Sequence, residues 1–137
     1  MIVIPYTILP GKPKPVHLPF ARIKLNYKKT HKMTPVPVTA LIDSGADVCF
    51  CNDMIGTWLG IKFKKDGSEK QFRTANKTKF NAIPFTVTLI AYGKTYDCKF
   101  YFTDVLPRHT PIILGQVGFF DHFKITFDYS KNEITLI

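Results

Sequence analysis

The residues whose types and spacing best suit catalysis are Asp43, Ser44 and Gly45, which directly follow the apolar run Val38–Ile42. That run is rich in β-branched residues and predicts a buried strand. A carboxylate at the mouth of a buried strand is costly unless it is hydrogen-bonded, and a serine hydroxyl followed by a glycine turn can hold it. The segment therefore predicts a held carboxylate. The alternative interpretation is an ordinary Asx-type turn, in which Asp43 caps its own backbone between two strands.

Residues 41–46, L-I-D-S-G-A, resemble the active-site loop of the aspartic proteases, in which two apolar residues precede D-[TS]-G-[AS]. A second segment, residues 111–116 (P-I-I-L-G-Q) followed by residues 117–120 (V-G-F-F), is similar to the strand and short helix that cross behind this loop in the family. Roughly seventy residues separate the motifs, which leaves room for a flap and two further strands at ~5–6 residues per strand. This order and spacing resemble a single-lobe, retropepsin-like aspartic protease.

The resemblance implies an all-β fold: a closed acid-protease-type β-barrel lobe with one or two short helices, assembled as a two-fold dimer. Residues 20–137 would form this retropepsin-like domain. Residues 1–19 are rich in proline and predict an extended N-terminal arm. Together with residues 133–137, this arm suits the interleaved terminal strands of a retropepsin dimer. The alternative for residues 10–15 is a disordered segment.

The chain has 137 residues, about half the length of a two-lobed pepsin-like enzyme, and contains no second D-[TS]-G motif. The resemblance implies that two carboxylates flank one water, so the second carboxylate must be Asp43 of another copy in a homodimer. The implied function is an aspartic endopeptidase that hydrolyses peptide bonds of a polypeptide substrate without a cofactor. The implied catalytic residues are Asp43, Ser44 and Gly45, and the implied substrate-binding residues are Ala46, Asp47, Ala75 and Asn76.

The family's flap, a mobile hairpin that closes over substrate, would fall on residues 71–80, with its tip at Ala75, Asn76 and Lys77. This tip lacks the glycines that are usual in retropepsin flaps, and Asn76 is expected to supply the positive φ. Retropepsins also pair an acid at the position of Asp47 with an arginine directly after the I-I-G glycine. Gln116 occupies that position, so at best a neutral–ionic hydrogen bond to Asp47 is expected in place of the ion pair.

The remaining elements are predicted from periodicity and turn residues. Alternation over residues 20–27 predicts a strand that forms a hairpin with residues 37–42. Asn52 and Asp53 predict the start of a helix of about two turns, which Gly60 ends, with Trp58 in the core. Further predictions are a turn at Asp66 and Gly67, a hairpin of residues 82–91 with 95–102, and a hairpin of residues 123–129 with 133–137.

The three cysteines do not suggest a disulfide framework, because their number is odd. Cys49 and Cys51 are spaced so that both would point to one face of a strand. The expected state is reduced thiols in the core. The alternative is a zinc site formed by Cys49, Cys51, Cys98 and either His109 or His122. Because a C-x-x-C knuckle and paired histidines are absent from the sequence, no metal is expected.

The net charge of +9 and the pI near 9.5 would allow the chain to bind a polyanion. The lysines are scattered, and no recognised nucleic-acid motif surrounds them, so solubility explains them better than nucleic-acid binding. No apolar run approaches the ~18 residues of a membrane span, and residues 1–5 lack the features of a signal peptide. A cytoplasmic protein without a membrane partner is therefore expected. Two other functions stay open: a non-catalytic binding or scaffold module with the retropepsin fold, and a basic nucleic-acid-binding β-barrel.

Overall fold

The strands form where the apolar alternation predicts them. The computed structural model describes residues 1–63 and 68–137, so the predicted turn at Asp66 and Gly67 lies outside the described residues. The elements are, in chain order, β1 (Ile2–Pro5), β2 (Thr7–Leu9), β3 (Val16–Leu18), β4 (Phe20–Tyr27), β5 (Lys32–Met33), β6 (Val38–Ile42), β7 (Cys49–Asn52), α1 (Asp53–Trp58), β8 (Lys70–Arg73), β9 (Lys79–Ala91), β10 (Lys94–Thr103), β11 (Ile112–Leu114), β12 (Ile125–Asp128) and β13 (Glu133–Leu136).

A closed barrel forms the body of the molecule. Among the described residues, β4, β6, β11, β7, β10 and β9 pair in this order, and a further pairing of β4 with β9 closes the ring. β6 runs parallel to β11, and β7 runs parallel to β10. The β9–β10 hairpin turns at Tyr92 (φ 47) and Gly93 (φ 81), as a two-residue turn requires. The prediction of an all-β, acid-protease-type barrel lobe is confirmed.

The barrel interior is filled by alternate side chains of its strands. In β4, the side chains of Ala21, Ile23 and Leu25 are buried, and in β10 those of Phe100 and Phe102 are buried. Each fully buried Ile, Leu or Phe contributes roughly 1.5–3 kcal/mol through the hydrophobic effect. Because β6 and β11 are central strands of this barrel, the residues at their ends are placed by a packed core.

The helix α1 has the predicted caps. The side chain of Asn52 accepts a hydrogen bond from the Met54 N–H at 2.8 Å, and Gly60 has φ +82 just after the last turn. The expectation that Trp58 belongs to the core is wrong, because 62% of its surface is exposed. Ile55 and Leu59, four residues apart, are buried against the barrel, whereas Trp58 lies at the edge of this buried face and is exposed.

The short helix expected at residues 117–120 is not formed. Val117 forms an isolated parallel bridge with Val48, turns occupy residues 118–120, and α1 is the one α-helix of the described chain. Gly118 has φ +115, which a right-handed helix does not allow, and a Cβ there would lie 2.8 Å from the Cys98 Sγ. Packing against this thiol therefore selects a turn. No helix within residues 1–63 and 68–137 is long and apolar enough to cross a membrane.

The chain termini form a sheet of their own. β1 pairs antiparallel with β13 of the same chain, and β13 pairs with β12, so β1 and β12 are the edges of this sheet. Residues 1–19 also include the separate β2–β3 ribbon. A hydrogen bond of 2.7 Å between His17 Nδ1 and Asn132 Oδ1 ties the ribbon to the terminal sheet. Residues 1–19 thus contain three short strands and pack on the rest of their own chain.

Candidate active site

The loop that carries Asp43 is held by a close crossing of two backbone segments. The Asp43 N–H donates to the Leu114 oxygen at 2.9 Å, at the end of the parallel β6–β11 pair. A Cβ on Gly115 would lie 2.1 Å from the oxygen of Val48 and 2.6 Å from that of Ala46, so only glycine fits. The next two N–H groups donate to the oxygens of Ala46 and Asp47 at 2.8 and 2.9 Å. The crossing thus holds the loop both at Asp43 and at Ala46 and Asp47.

The carboxylate of Asp43 is held by the turn that follows it. Its Oδ1 accepts a hydrogen bond from the Gly45 N–H at 2.9 Å, and the Ala46 N–H donates to the Asp43 backbone oxygen at 3.2 Å. The side chain is half-buried. A Cβ on Gly45 would lie 3.2 Å from Oδ1, tighter than ordinary contact. The hydrogen bond alone has the geometry of an Asx turn, and the crossing at Gly115 is what distinguishes this loop from a common turn.

A cleft of about 570 Å³ lies against the Asp43 loop. Asp43, Gly45, Ala46, Asp47 and Ala75 line it, which brings together five of the residues predicted from the sequence. Ser44 and Asn76 lie outside its lining, and both are exposed. Four more lining residues, Phe72, Arg73, Thr74 and Phe80, belong to the predicted flap segment. The residues that sequence reasoning missed are apolar, namely Val48, Phe50, Val105, Leu106 and Ile113.

The hairpin of β8 and β9 borders the cleft at the predicted flap position. Its turn is closed by hydrogen bonds from Thr74 N–H to the Thr78 oxygen at 2.8 Å and from Lys77 N–H to the Thr74 oxygen at 2.9 Å. The positive φ falls on Lys77 (φ 67), so its expected assignment to Asn76 is wrong. The Asn76 side chain instead hydrogen-bonds Thr74 Oγ1 inside the turn. With the Asn76 side chain held in this way, Lys77 is the residue of the turn in the left-handed conformation.

An aromatic cluster joins this hairpin to the barrel. The Phe50 ring of β7 meets the Phe72 ring of β8 edge-on at 4.9 Å, and Phe72 stacks on Phe80 at 5.7 Å. Tyr101 of β10 lies 5.2 Å from Phe72. The alternation C-F-C in β7 is the sequence signal that could have identified Phe50 as a cleft residue, because it directs Phe50 to the face opposite the two cysteines. The cluster gives the cleft an apolar wall suited to large apolar side chains.

The expected hydrogen bond between Gln116 and Asp47 does not form. Gln116 Nε2 donates instead to the backbone oxygen of Ser44 at 2.8 Å. Its own N–H already donates to Ala46, which places the side chain across the loop and within reach of Ser44. In the described ranges Asp47 forms no ion pair, and its side chain is exposed.

The three cysteines lie in the core of the described chain. Cys49, Cys51 and Cys98 are free and buried, and Cys49 Sγ accepts a hydrogen bond from the Gly115 N–H at 3.3 Å. A hydrogen bond to Cys49 and burial raise the pKa of Cys98, and burial raises the pKa of Cys51. The same hydrogen bond lowers the pKa of Cys49. Within the described residues, no group of three or more His, Cys, Asp or Glu side chains could hold a metal ion.

No family model and no curated protein matches the sequence. Solved structures do match. A retropepsin-like aspartic protease from Rickettsia conorii aligns over 98% of this chain and 87% of its own, with a TM-score of 0.57 at 18% identity. The retroviral protease-like domain of Ddi1 from Leishmania major aligns over 88% of this chain and 89% of its own, with a TM-score of 0.55 at 16% identity.

The chain has a retropepsin-like fold. At these identities the likeness establishes the fold alone. In this retropepsin-like chain, the geometry of the Asp43 loop and of the cleft is what indicates a possible reaction.

Proposed function

We propose that this chain is an aspartic endopeptidase that acts as a homodimer, with the Asp43 carboxylates of two subunits on either side of one water. The observation that carries the proposal is the placement of Asp43, a half-buried carboxylate at the wall of a cleft of about 570 Å³. An Asx turn alone would explain its hydrogen bond to Gly45. It would not explain why a glycine crossing and a cleft occur at the same point.

The proposed chemistry needs one ionised and one protonated carboxyl group, because two carboxylates that flank one water share a single proton. The ionised Asp43 accepts a proton from the water while the water oxygen bonds to the scissile carbonyl carbon. The protonated Asp43 donates to the carbonyl oxygen. When the tetrahedral intermediate collapses, the C–N bond breaks and the proton taken from the water passes to the leaving nitrogen. A hydroxyl proton of the intermediate returns to the other carboxylate, which restores the singly protonated pair.

The neighbouring residues take supporting roles in this proposal. The exposed Ser44 hydroxyl would bond across the two-fold axis, and the backbone groups of Gly45 and Ala46 would bind an extended substrate. Asp47 would accept hydrogen bonds from the substrate backbone. The hairpin tip with Ala75 and Asn76 would close over it. The Phe50 cluster would accommodate its apolar side chains.

In the proposed dimer, residues 20–137 supply the catalytic domain, and the arm of residues 1–19 contributes to the contact between subunits. β1 and β12 are edge strands of the terminal sheet. Such edges present unpaired N–H and C=O groups, which a second copy can pair. A closed two-fold assembly is the simplest arrangement that brings two Asp43 side chains together.

Cleavage of a peptide library by the wild type and by Asp43→Asn tests the proposal. The Asn variant should fold normally by circular dichroism and cleave nothing from about pH 3 to 8, because an amide cannot act as a general base. Asp104→Asn is the matched control, since it makes the same change beside the cleft and should retain activity. Peptides that the wild type binds and leaves intact would favour the non-catalytic binding module.

A further inference from the structure

A second concave surface lies at the far end of β6 from Asp43. This surface, which we term the α1 groove, has a volume of about 390 Å³ and is lined by Val38, Asn52, Met54, Ile55, Trp58, Arg108 and Pro111. Volumes of roughly 300–1,000 Å³ are typical of ligand sites. Val38 begins β6 and Asp43 follows its end, so the groove and the carboxylate are roughly 16 Å apart along an extended strand. The α1 groove shares no lining residue with the cleft.

The helix α1 presents an apolar face to this groove. Met54 and Trp58 are four residues apart and share one side of the helix, with 46% and 62% of their surfaces exposed. The adjoining side of the helix packs against the core, where Ile55 is buried and a Cβ on Gly56 would lie 2.5 Å from the Phe63 ring. Exposed Met and Trp side chains at a concave surface have the composition of protein interfaces.

A single cation borders the apolar surface. Arg108 is the charged residue among those that line the α1 groove, and over the described ranges it forms no ion pair. Its loop is tied down at both ends: Asn52 Nδ2 donates to the Leu106 oxygen at 3.0 Å, and the Asn52 N–H donates to the Pro111 oxygen at 2.7 Å. The guanidinium is thus carried on an anchored loop beside the groove.

We propose that the α1 groove binds an acidic peptide segment, in which a large apolar side chain inserts beside Met54 and Trp58 and a neighbouring carboxylate pairs with Arg108. Charge complementarity selects the carboxylate, because Arg108 is unpaired and the chain carries a net charge of +9. A peptide fits better than a nucleobase. Both polar ends of the Asn52 amide already hold a hydrogen bond, with the Met54 N–H and the Leu106 oxygen, which fixes the amide against the protein backbone rather than toward a base edge.

Trp58 makes the proposal directly measurable, because it is the sole tryptophan of the chain. The probe is the blocked peptide acetyl-Gly-Asp-Phe-Asp-Gly-amide, titrated into the Asp43→Asn protein so that no peptide is cleaved. We expect a saturable change in Trp58 emission. The same peptide with Asn for Asp should bind roughly three- to fivefold more weakly, as expected for an exposed ion pair. The peptide with Ala for Phe should bind more weakly still.

Variants assign the binding to named residues. Arg108→Gln should weaken the acidic peptide roughly three- to fivefold and leave the Asn peptide unchanged. Lys99→Gln removes the same charge elsewhere on the barrel and should change neither affinity. Trp58→Ala, followed by the anisotropy of a labelled peptide, should abolish saturable binding. The Arg108→Gln result stands even where the tryptophan variant fails to fold.

Several results would overturn the proposal. The first is a Trp58 emission that does not saturate with the acidic peptide. The second is equal affinity for the acidic and Asn peptides. The third is a short single-stranded oligonucleotide that binds at Trp58 more tightly than the acidic peptide does. Dissociation of a dimer on Trp58→Ala would assign the α1 groove to a second copy of the chain instead. Because every titration uses the Asp43→Asn protein, these results are independent of whether the wild type cleaves peptides.

Discussion

Replacing Gly115 by alanine should disrupt the crossing that holds Asp43. The new Cβ would lie 2.1 Å from the Val48 oxygen and 2.6 Å from the Ala46 oxygen. Both contacts are with backbone atoms, so no side-chain rotation relieves them, and the hydrogen bonds to the oxygens of Ala46 and Asp47 must open. Two backbone hydrogen bonds at about 1 kcal/mol each, with roughly 1–3 kcal/mol for overpacking, predict a loss of roughly 3 kcal/mol or more in unfolding free energy.

Urea unfolding followed by circular dichroism measures this loss. Gly93→Ala is the matched control, because a Cβ there meets nothing within 4 Å and the cost arises only from φ +81. That conformational cost is roughly 1–2 kcal/mol. The reasoning is refuted if Gly115→Ala unfolds at the wild-type urea concentration, or if it is less destabilising than Gly93→Ala.

Three further changes have defined outcomes. Gln116→Arg should tighten the dimer by up to about fivefold in sedimentation equilibrium, because it offers the exposed Asp47 an ion pair. Hydrogen bonds from Lys28 and from a threonine lower the pKa of Asp97, so its stabilisation is present above about pH 4 and is lost as the pH falls through the lowered value. Asp97→Asn should therefore lower the urea midpoint at neutral pH and match the wild type in strong acid. Phe72→Leu should speed amide exchange in β8, since each lost aromatic pair is worth about 0.5–1.5 kcal/mol.

Each of these outcomes has a clear opposite. An unchanged dimer dissociation constant for Gln116→Arg, with the fold intact, would show that an ion pair with Asp47 does not stabilise the dimer. A constant stability difference between wild type and Asp97→Asn at every pH would contradict the assigned role of the carboxylate. Unaltered exchange in β8 after Phe72→Leu would mean that the aromatic cluster does not hold the hairpin to the barrel.

The sequence predicted the parts of the fold that short segments determine by themselves. Asn52 and Gly60 marked the helix ends because capping depends on one or two residues. The alternation of residues 20–27 identified β4, and the loop at Asp43 with the crossing at Gly115 followed from two motifs with a known order. The caps and the alternation need no knowledge of distant contacts, whereas the crossing at Gly115 was expected from the resemblance of two motifs to a known family.

The features that were predicted wrongly depend on packing between distant segments. Trp58 was assigned to the core from its residue type, although its position on α1 faces outward. Residues 118–120 form turns because Gly118 packs against a thiol from β10. Gln116 reaches Ser44 rather than Asp47 because the crossing fixes its backbone. For Gln116 and Gly118, no local pattern contains this information, since each contact is with a segment far away in the chain.

The most direct test of the central claim mixes wild-type and Asp43→Asn subunits under conditions that allow exchange. If catalysis needs Asp43 from both subunits, an equal mixture contains about a quarter of its dimers with two carboxylates, and the activity should fall to about a quarter of that of the same total concentration of wild type. The dependence on the wild-type fraction should be quadratic. An activity of about one half, proportional to the wild-type subunits, would show that each chain works alone and would contradict the shared active site.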